Sequence, residues 1–139
     1  NGVTVAEDYA HHPTEIASTL EAARWVEPAR VICVFQPHLY SRTRFFCEEF
    51  AAVLANADRA IITAIYGSRE EPLPGVDSGI LVDAAHARGA QHVELLNDMH
   101  AVPDYLAPEL QPGDLVLVLG AGDINRIAPR IVERLRDGV

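Results

Sequence analysis

RVICVFQPHLYSRTRFFCEEFAAVLANADRAIITAI, residues 30–65, carries one full period of an alternating architecture. Arg30–Phe35 is a near-continuous apolar run, the pattern of a strand covered on both faces. The chain then turns polar, and residues 42–55 repeat apolar side chains at helical spacing through Phe45, Phe46, Phe50, Val53 and Leu54. Ser41 stands where an N-cap is expected. Ala60–Ile65 is a second strand-like run. Strand, helix and strand in this order form a βαβ unit, whose crossover makes the two strands parallel.

The same alternation extends in both directions. Val3–Ala6, His92–Leu96 and Leu115–Leu119 read as further strands. Pro13–Trp25 reads as a helix, with Ile16, Leu20 and Ala23 on one stripe, Pro13 at its first position and Glu15 in its first turn. Residues 78–88 form another helix, stopped by Gly89. Residues 99–110 are a weaker one because of Pro103 and Pro108. Residues 124–136 carry Ile124, Ile127, Ile131, Val132 and Leu135, and Pro129 is expected to shorten or kink that helix. The expectation is one α/β domain over residues 1–139, a mostly parallel sheet with helices on both faces.

Composition narrows the function. A chain of 139 residues, 49% hydrophobic and 22% charged, is a globular domain that buries about two thirds of its unfolded surface. Apolar runs such as Leu115–Leu119 fall far short of the ~20 residues of a membrane-spanning helix. No basic segment followed by an apolar stretch opens the chain, so no secretory signal is read. The start at Asn1 rather than Met is read as an excised domain. A net charge of −9 argues against nucleic acid and anionic membrane as partners. All 11 basic residues are Arg, so a self-contained P-loop with its lysine is excluded. Nucleotide phosphates must be held by backbone, by Arg or by another domain. Cys33 and Cys47 form no CxxC and are expected as reduced thiols in a cytoplasmic protein.

Five polar segments follow the strands: Glu7–Pro13, Gln36–Arg44, Tyr66–Ser78, Asn97–His100 and Gly120–Asp123. Parallel strands end on one edge, so these segments converge on one crevice. Asp8 serves there as a ribose or cation partner, or it satisfies nearby backbone donors. His11 and His12 lack further ligands at zinc spacing, so no metal site is expected. His12 before Pro13 reads as a helix cap, with His11 left for a ligand role. Arg42 lies in the first turn of a helix, where a cation is disfavoured unless it clamps a carboxylate. Arg44 is explained by a solvated face. Gly120 and Gly122 supply two thirds of a dinucleotide fingerprint, but Asn125 or Arg126 holds the third position. The favoured reading is a tight strand-to-helix turn that lines the crevice, with Asp123 as cap. Tyr66–Ser78 reads as a rim or lid.

DYAHHPTEI (8–16), FQPHLYSRTR (35–44), YGSREEPLPGVDS (66–78) and GAGDI (120–124) resemble the C-terminal domain of Mur ligases, specifically their alanine-adding branch. The resemblance covers nearly the whole chain in the expected order. It implies a Rossmann-like three-layer sandwich with a sheet of about six strands, one of them antiparallel, within a three-domain parent. It further implies a ligase that joins L-alanine to UDP-N-acetylmuramate through an acyl phosphate, at the expense of ATP with Mg2+. The UDP-sugar would be held by the N-terminal domain, ATP and Mg2+ mainly by the central domain, and L-alanine by this one.

Residue by residue, Arg42 matches the arginine that holds the alanine carboxylate, Tyr9 and His11 match residues flanking the alanine, and Asp8 matches the nucleotide-facing acid. His12, His38, Arg44, Gly120 and Gly122 are expected to line the same edge. Leu39 departs from an arginine found in some members, and Glu7 stands where Asp is frequent. Two other readings are a murein-peptide ligase domain and a free-standing ligand-binding module without catalysis.

Overall fold

The computed structural model describes residues 2–138. Strands β1 (Thr4–Asp8), β2 (Arg30–Phe35), β3 (Arg59–Ile62), β4 (Val93–Leu95) and β5 (Asp114–Leu119) form one sheet in the order β1-β5-β2-β3-β4. Every pairing in it is parallel. Helices α1 (Pro13–Arg24), α2 (Tyr40–Phe45), α3 (Cys47–Leu54), α4 (Gly79–Ala87), α5 (Val102–Leu106) and α6 (Ile127–Asp137) fill the connections.

Strand periodicity divides the interior in two. Val31, Cys33 and Phe35 of β2 point to one face, where they pack with Ile16 and Leu20 of α1, Phe50 and Leu54 of α3, and Leu81 of α4. Ile32 and Val34 point to the other, against Val102 and Leu106 of α5 and Ile127 and Ile131 of α6. The result is the expected three-layer α/β/α sandwich. Burial on both faces explains why β2 and β5 read as unbroken apolar runs.

The described sheet has five strands and no antiparallel member, against the expected six or so with one antiparallel. The third strand ends at Ile62 instead of Ile65. Beyond Thr63 the chain leaves the ladder and returns only for an isolated bridge between Tyr66 and His38. The single helix expected over residues 42–55 is split at Phe46 (φ −103°, ψ 23°), whose ring packs edge-on against His12 at 4.7 Å. Ser41 is no cap. Leu39 holds that position, without a side-chain bond, and Ser41 lies inside α2.

Residues 99–110 break into short helical pieces around the two prolines, as their lack of donors requires. Pro129 falls in the first turn of α6, where its missing N–H has no partner to lose, so that helix is neither shortened nor kinked by it. Asp123 makes no cap bond to the turn after it. Its carboxylate instead accepts from Gln36 Nε2 at 2.8 Å.

Topology places the site. The connection leaving β1 packs as α1 on one face, whereas the connection leaving β5 packs as α6 on the other. Neighbouring strands whose exits diverge leave a crevice at their carboxyl ends. β5 is flanked by two such neighbours, β1 and β2.

Candidate functional site

The carboxyl ends of β1, β5, β2 and β3 bring most of the predicted residues together. A cleft of about 250 Å³ between β1 and β5 is lined by Asp8, Tyr9, Gly120, Gly122 and Asn125 among others. Asp8 is exposed there, accepting from Ala10 N–H (2.9 Å) and Thr19 Oγ1 (3.2 Å). Gly122 is required by contact: a Cβ would lie 2.6 Å from both Gln36 Oε1 and the Tyr66 ring. The turn therefore holds a close approach between β5 and β2 that the glycine reading did not include, and Asp123 serves it by fixing Gln36 rather than by capping.

Four rings span the edge. Tyr9 meets His11 edge-on at 5.3 Å, His11 meets His38 at 5.8 Å, and His38 stacks on Tyr66 at 5.6 Å. Tyr9 is 70% exposed, so its ring face is open to a ligand. His11 is held firmly. Its N–H donates to Glu15 Oε1 (3.1 Å), and its Nδ1 lies 2.9 Å from the Tyr9 carbonyl. A carbonyl only accepts, so Nδ1 carries the hydrogen and leaves Nε2 for a ligand.

His12 does not join this row. Its Nδ1 accepts from Thr14 N–H at 3.2 Å while Glu15 accepts from His12 N–H, a capping box with histidine as the cap. The His11 backbone amide first, with help from His12, holds the Glu15 carboxyl below the usual carboxylate range. The ring of His12 thus serves α1 as its cap, as expected, and packs on Phe46.

Arg42 projects from α2 beside His38. Burial, followed by the Arg42 guanidinium charge, lowers the His38 pKa and favours neutral imidazole. Arg42 itself makes no ion pair with a described residue, and its Nη1 is buried without a hydrogen-bond partner. Arg44 is exposed and shares with Arg42 a cleft of about 370 Å³ walled by Leu39, Phe45 and Phe46. Among the described residues, three other buried side-chain polar atoms lack partners: Gln36 Oε1, His38 Nδ1 and Thr63 Oγ1. All lie at the carboxyl ends of β2 and β3 or just beyond them. Polar atoms are rarely left so inside a protein unless a ligand or water meets them.

Sequence reading missed Gln36, Thr63 and Glu70 as individuals. Gln36 carried a readable signal, a polar side chain immediately after an apolar strand; Thr63 did not, because the apolar run continues past it to Ile65. Glu70 carried none, because its partner is 29 residues away. A larger depression of about 550 Å³ lies between α5 and α6, lined by Val3, Pro103, Pro108, Pro112 and neighbours. It contains none of the predicted site residues, so size alone does not mark the site here. Among the described residues no cluster of His, Cys, Asp or Glu fits a metal ion, and no helix is long and apolar enough to cross a membrane.

Known proteins match this chain over nearly its whole length. The family described as Mur ligase, glutamate ligase domain matches residues 1–122. The UDP-N-acetylmuramate–L-alanine ligase of Desulforamulus reducens is 44% identical over 137 residues, covering 99% of this chain and 30% of the relative. That of Cutibacterium acnes is 49% identical, covering 94% of this chain and 28% of the relative. Among solved structures, the UDP-N-acetylmuramate–alanine ligase of Thermotoga maritima superposes with a TM-score of 0.80 at 26% identity, over 99% of this chain and 27% of that one. The chain thus spans about three tenths of the length of the curated relatives it matches. By the family match over most of its length, and by relatives that cover nearly all of it, the chain belongs to the Mur ligase, glutamate ligase domain family.

Proposed function

We propose that this chain is the amino-acid-binding domain of a cytoplasmic, ATP-dependent ligase that joins L-alanine to UDP-N-acetylmuramate in peptidoglycan precursor synthesis. The observation that carries the reading is Arg42: a buried guanidinium nitrogen without a partner, beside His11 and His38 at the crevice of the sheet. A guanidinium fork matches a carboxylate bidentately, and a buried one without an anion is costly. The amino-acid carboxylate supplies that anion. The relatives that match over nearly the whole chain are named for L-alanine, which supports the substrate.

With the carboxylate on Arg42, the amine of the amino acid lies toward His11 and Tyr9. The free Nε2 of His11 accepts a hydrogen bond from that amine and orients its lone pair. The amine attacks the muramate carboxyl carbon, activated as an acyl phosphate; the C–N bond forms, the C–O bond to phosphate breaks, and inorganic phosphate leaves. The contribution of this chain is positioning, since holding two reactants in line is worth several kcal/mol. Closure over the crevice also keeps water from the acyl phosphate.

Asp8 and the Gly120–Gly122 turn face the nucleotide. The chain contains no Lys, and its described residues offer no donor set for Mg2+, so the triphosphate and metal belong to the remainder of the longer protein.

The test is phosphate release by the full-length protein supplied with ATP, magnesium and UDP-N-acetylmuramate. Release that requires L-alanine supports the reading. Release that requires a peptide, or no release, contradicts it.

A further inference from the structure

The loop after β3, read from sequence as a rim or lid, is bound to the segment that carries Arg42. Tyr66 N–H donates to the Pro37 carbonyl at 2.8 Å, and Leu39 N–H donates to the Tyr66 carbonyl at 2.9 Å. Ser41 N–H donates to Glu70 Oε1 at 3.0 Å, while the Ser41 hydroxyl donates to Glu70 Oε2. Gly67 makes room for this contact, since a Cβ there would lie 2.8 Å from the Tyr40 ring.

The helix so gripped needs support. α2 has six residues, and its N-cap, Leu39, offers no side-chain bond and adopts φ 72°. That left-handed conformation costs a non-glycine residue free energy and persists only where surrounding bonds impose it. Arg42 places on this short helix a positive charge that makes no ion pair with a described residue, and its Nη1 is buried without a hydrogen-bond partner. Glu70 answers both problems. Its carboxylate takes the orphan Ser41 N–H of the first turn, and its charge offsets that of Arg42. The Ser41 hydroxyl, then the Ser41 amide, holds the Glu70 carboxyl below the usual carboxylate range, so it is ionised at neutral pH.

We infer that Glu70 is a positioning residue for the amino-acid clamp: it fixes the first turn of α2 through Ser41 and thereby sets where Arg42 meets the substrate carboxylate. The inference rests on the proposed role of Arg42.

Steady-state kinetics of the full-length ligase test it, with Glu70→Gln, Ser41→Ala, the double variant and Arg42→Ala compared. Glu70→Gln keeps the shape and removes the charge. It is expected to raise the KM for L-alanine about tenfold, the gap between charge-assisted and neutral hydrogen bonds, with kcat and the KM for ATP unchanged. Ser41→Ala is expected to raise it about fivefold, and the double variant less than the product of the two, because both act through one contact.

A parental alanine KM in Glu70→Gln, alongside a raised one in Arg42→Ala, overturns the positioning role and leaves the clamp standing. A parental KM in both overturns the clamp and the inference with it. Equal rises for alanine and ATP overturn the inference in favour of general damage to the fold. Should Glu70→Gln not fold, Ser41→Ala carries the same expectation, and a parental alanine KM there overturns it.

Discussion

Gly122→Ala puts a methyl group into the contact that joins β5 to the ring row. Its Cβ would lie 2.6 Å from Gln36 Oε1 and 2.6 Å from the Tyr66 ring. Each partner must retreat by about 0.8 Å to reach ordinary contact at 3.4 Å. Neither is free to do so. Gln36 is 5% exposed and held by Asp123 at 2.8 Å, while Tyr66 is bound through its own amide to Pro37 and stacked on His38.

No backbone strain is added, so the whole effect is overpacking, about 1–3 kcal/mol. That is well within the stability of an ordinary domain, about 5–15 kcal/mol, so the variant folds. Urea unfolding of the domain should show the loss, and the full-length enzyme should show a raised KM for L-alanine because His38 moves with Tyr66. A variant with parental stability and parental alanine kinetics would refute the claim that the turn and the ring row form one rigid contact.

Two further predictions concern residues outside the clamp. Asp114 is 2% exposed and accepts from Arg30 Nε (3.0 Å), Arg30 Nη2 (2.6 Å) and Gln111 N–H (2.8 Å). Arg30 above all, against burial, holds its carboxyl below the usual range. A depressed folded pKa gives stability that is present above the unfolded value, about 3.9, and is lost as pH falls through the folded one. Asp114→Asn should therefore cost about 2 kcal/mol at pH 7 and show a shallower loss below about pH 4 in acid-titrated urea unfolding. His12→Ala should cost about 1 kcal/mol, the worth of a helix cap, in the same assay. The alanine KM should not change in that variant, and a large rise would return His12 to the site.

The fold was legible because both faces of the sheet are buried, which leaves β2 and β5 as apolar runs and gives α1 and α6 clear stripes. Strand ends were less legible. Ala64 and Ile65 are as apolar as β3, yet the chain has left the sheet there to bring Tyr66 back over His38. The break at Phe46 was invisible for a similar reason: Phe45 and Phe46 suit a continuous helix, and contact with His12 from a distant segment decides otherwise.

Within the site, His11 and Arg42 are picked out by chemistry and strand-end convergence, Tyr9 and His38 by the family resemblance. Roles that depend on distant partners could not be read. Ser41 has the chemistry of a cap, but Glu70 claims its hydroxyl, and Asp123 turns to Gln36 for the same kind of reason. Both thiols are free, with Cys33 buried and its pKa pushed by burial up to about 12, so neither is a nucleophile at neutral pH.

The central claim is that Arg42 holds the amino-acid carboxylate. The most direct measurement is the KM for L-alanine and for ATP of the full-length protein and its Arg42→Ala variant. Loss of one partner of a buried charged pair removes about 2–5 kcal/mol, so the alanine KM should rise about thirtyfold or more while the ATP KM is retained. An Arg42→Ala enzyme with the parental alanine KM would contradict the account.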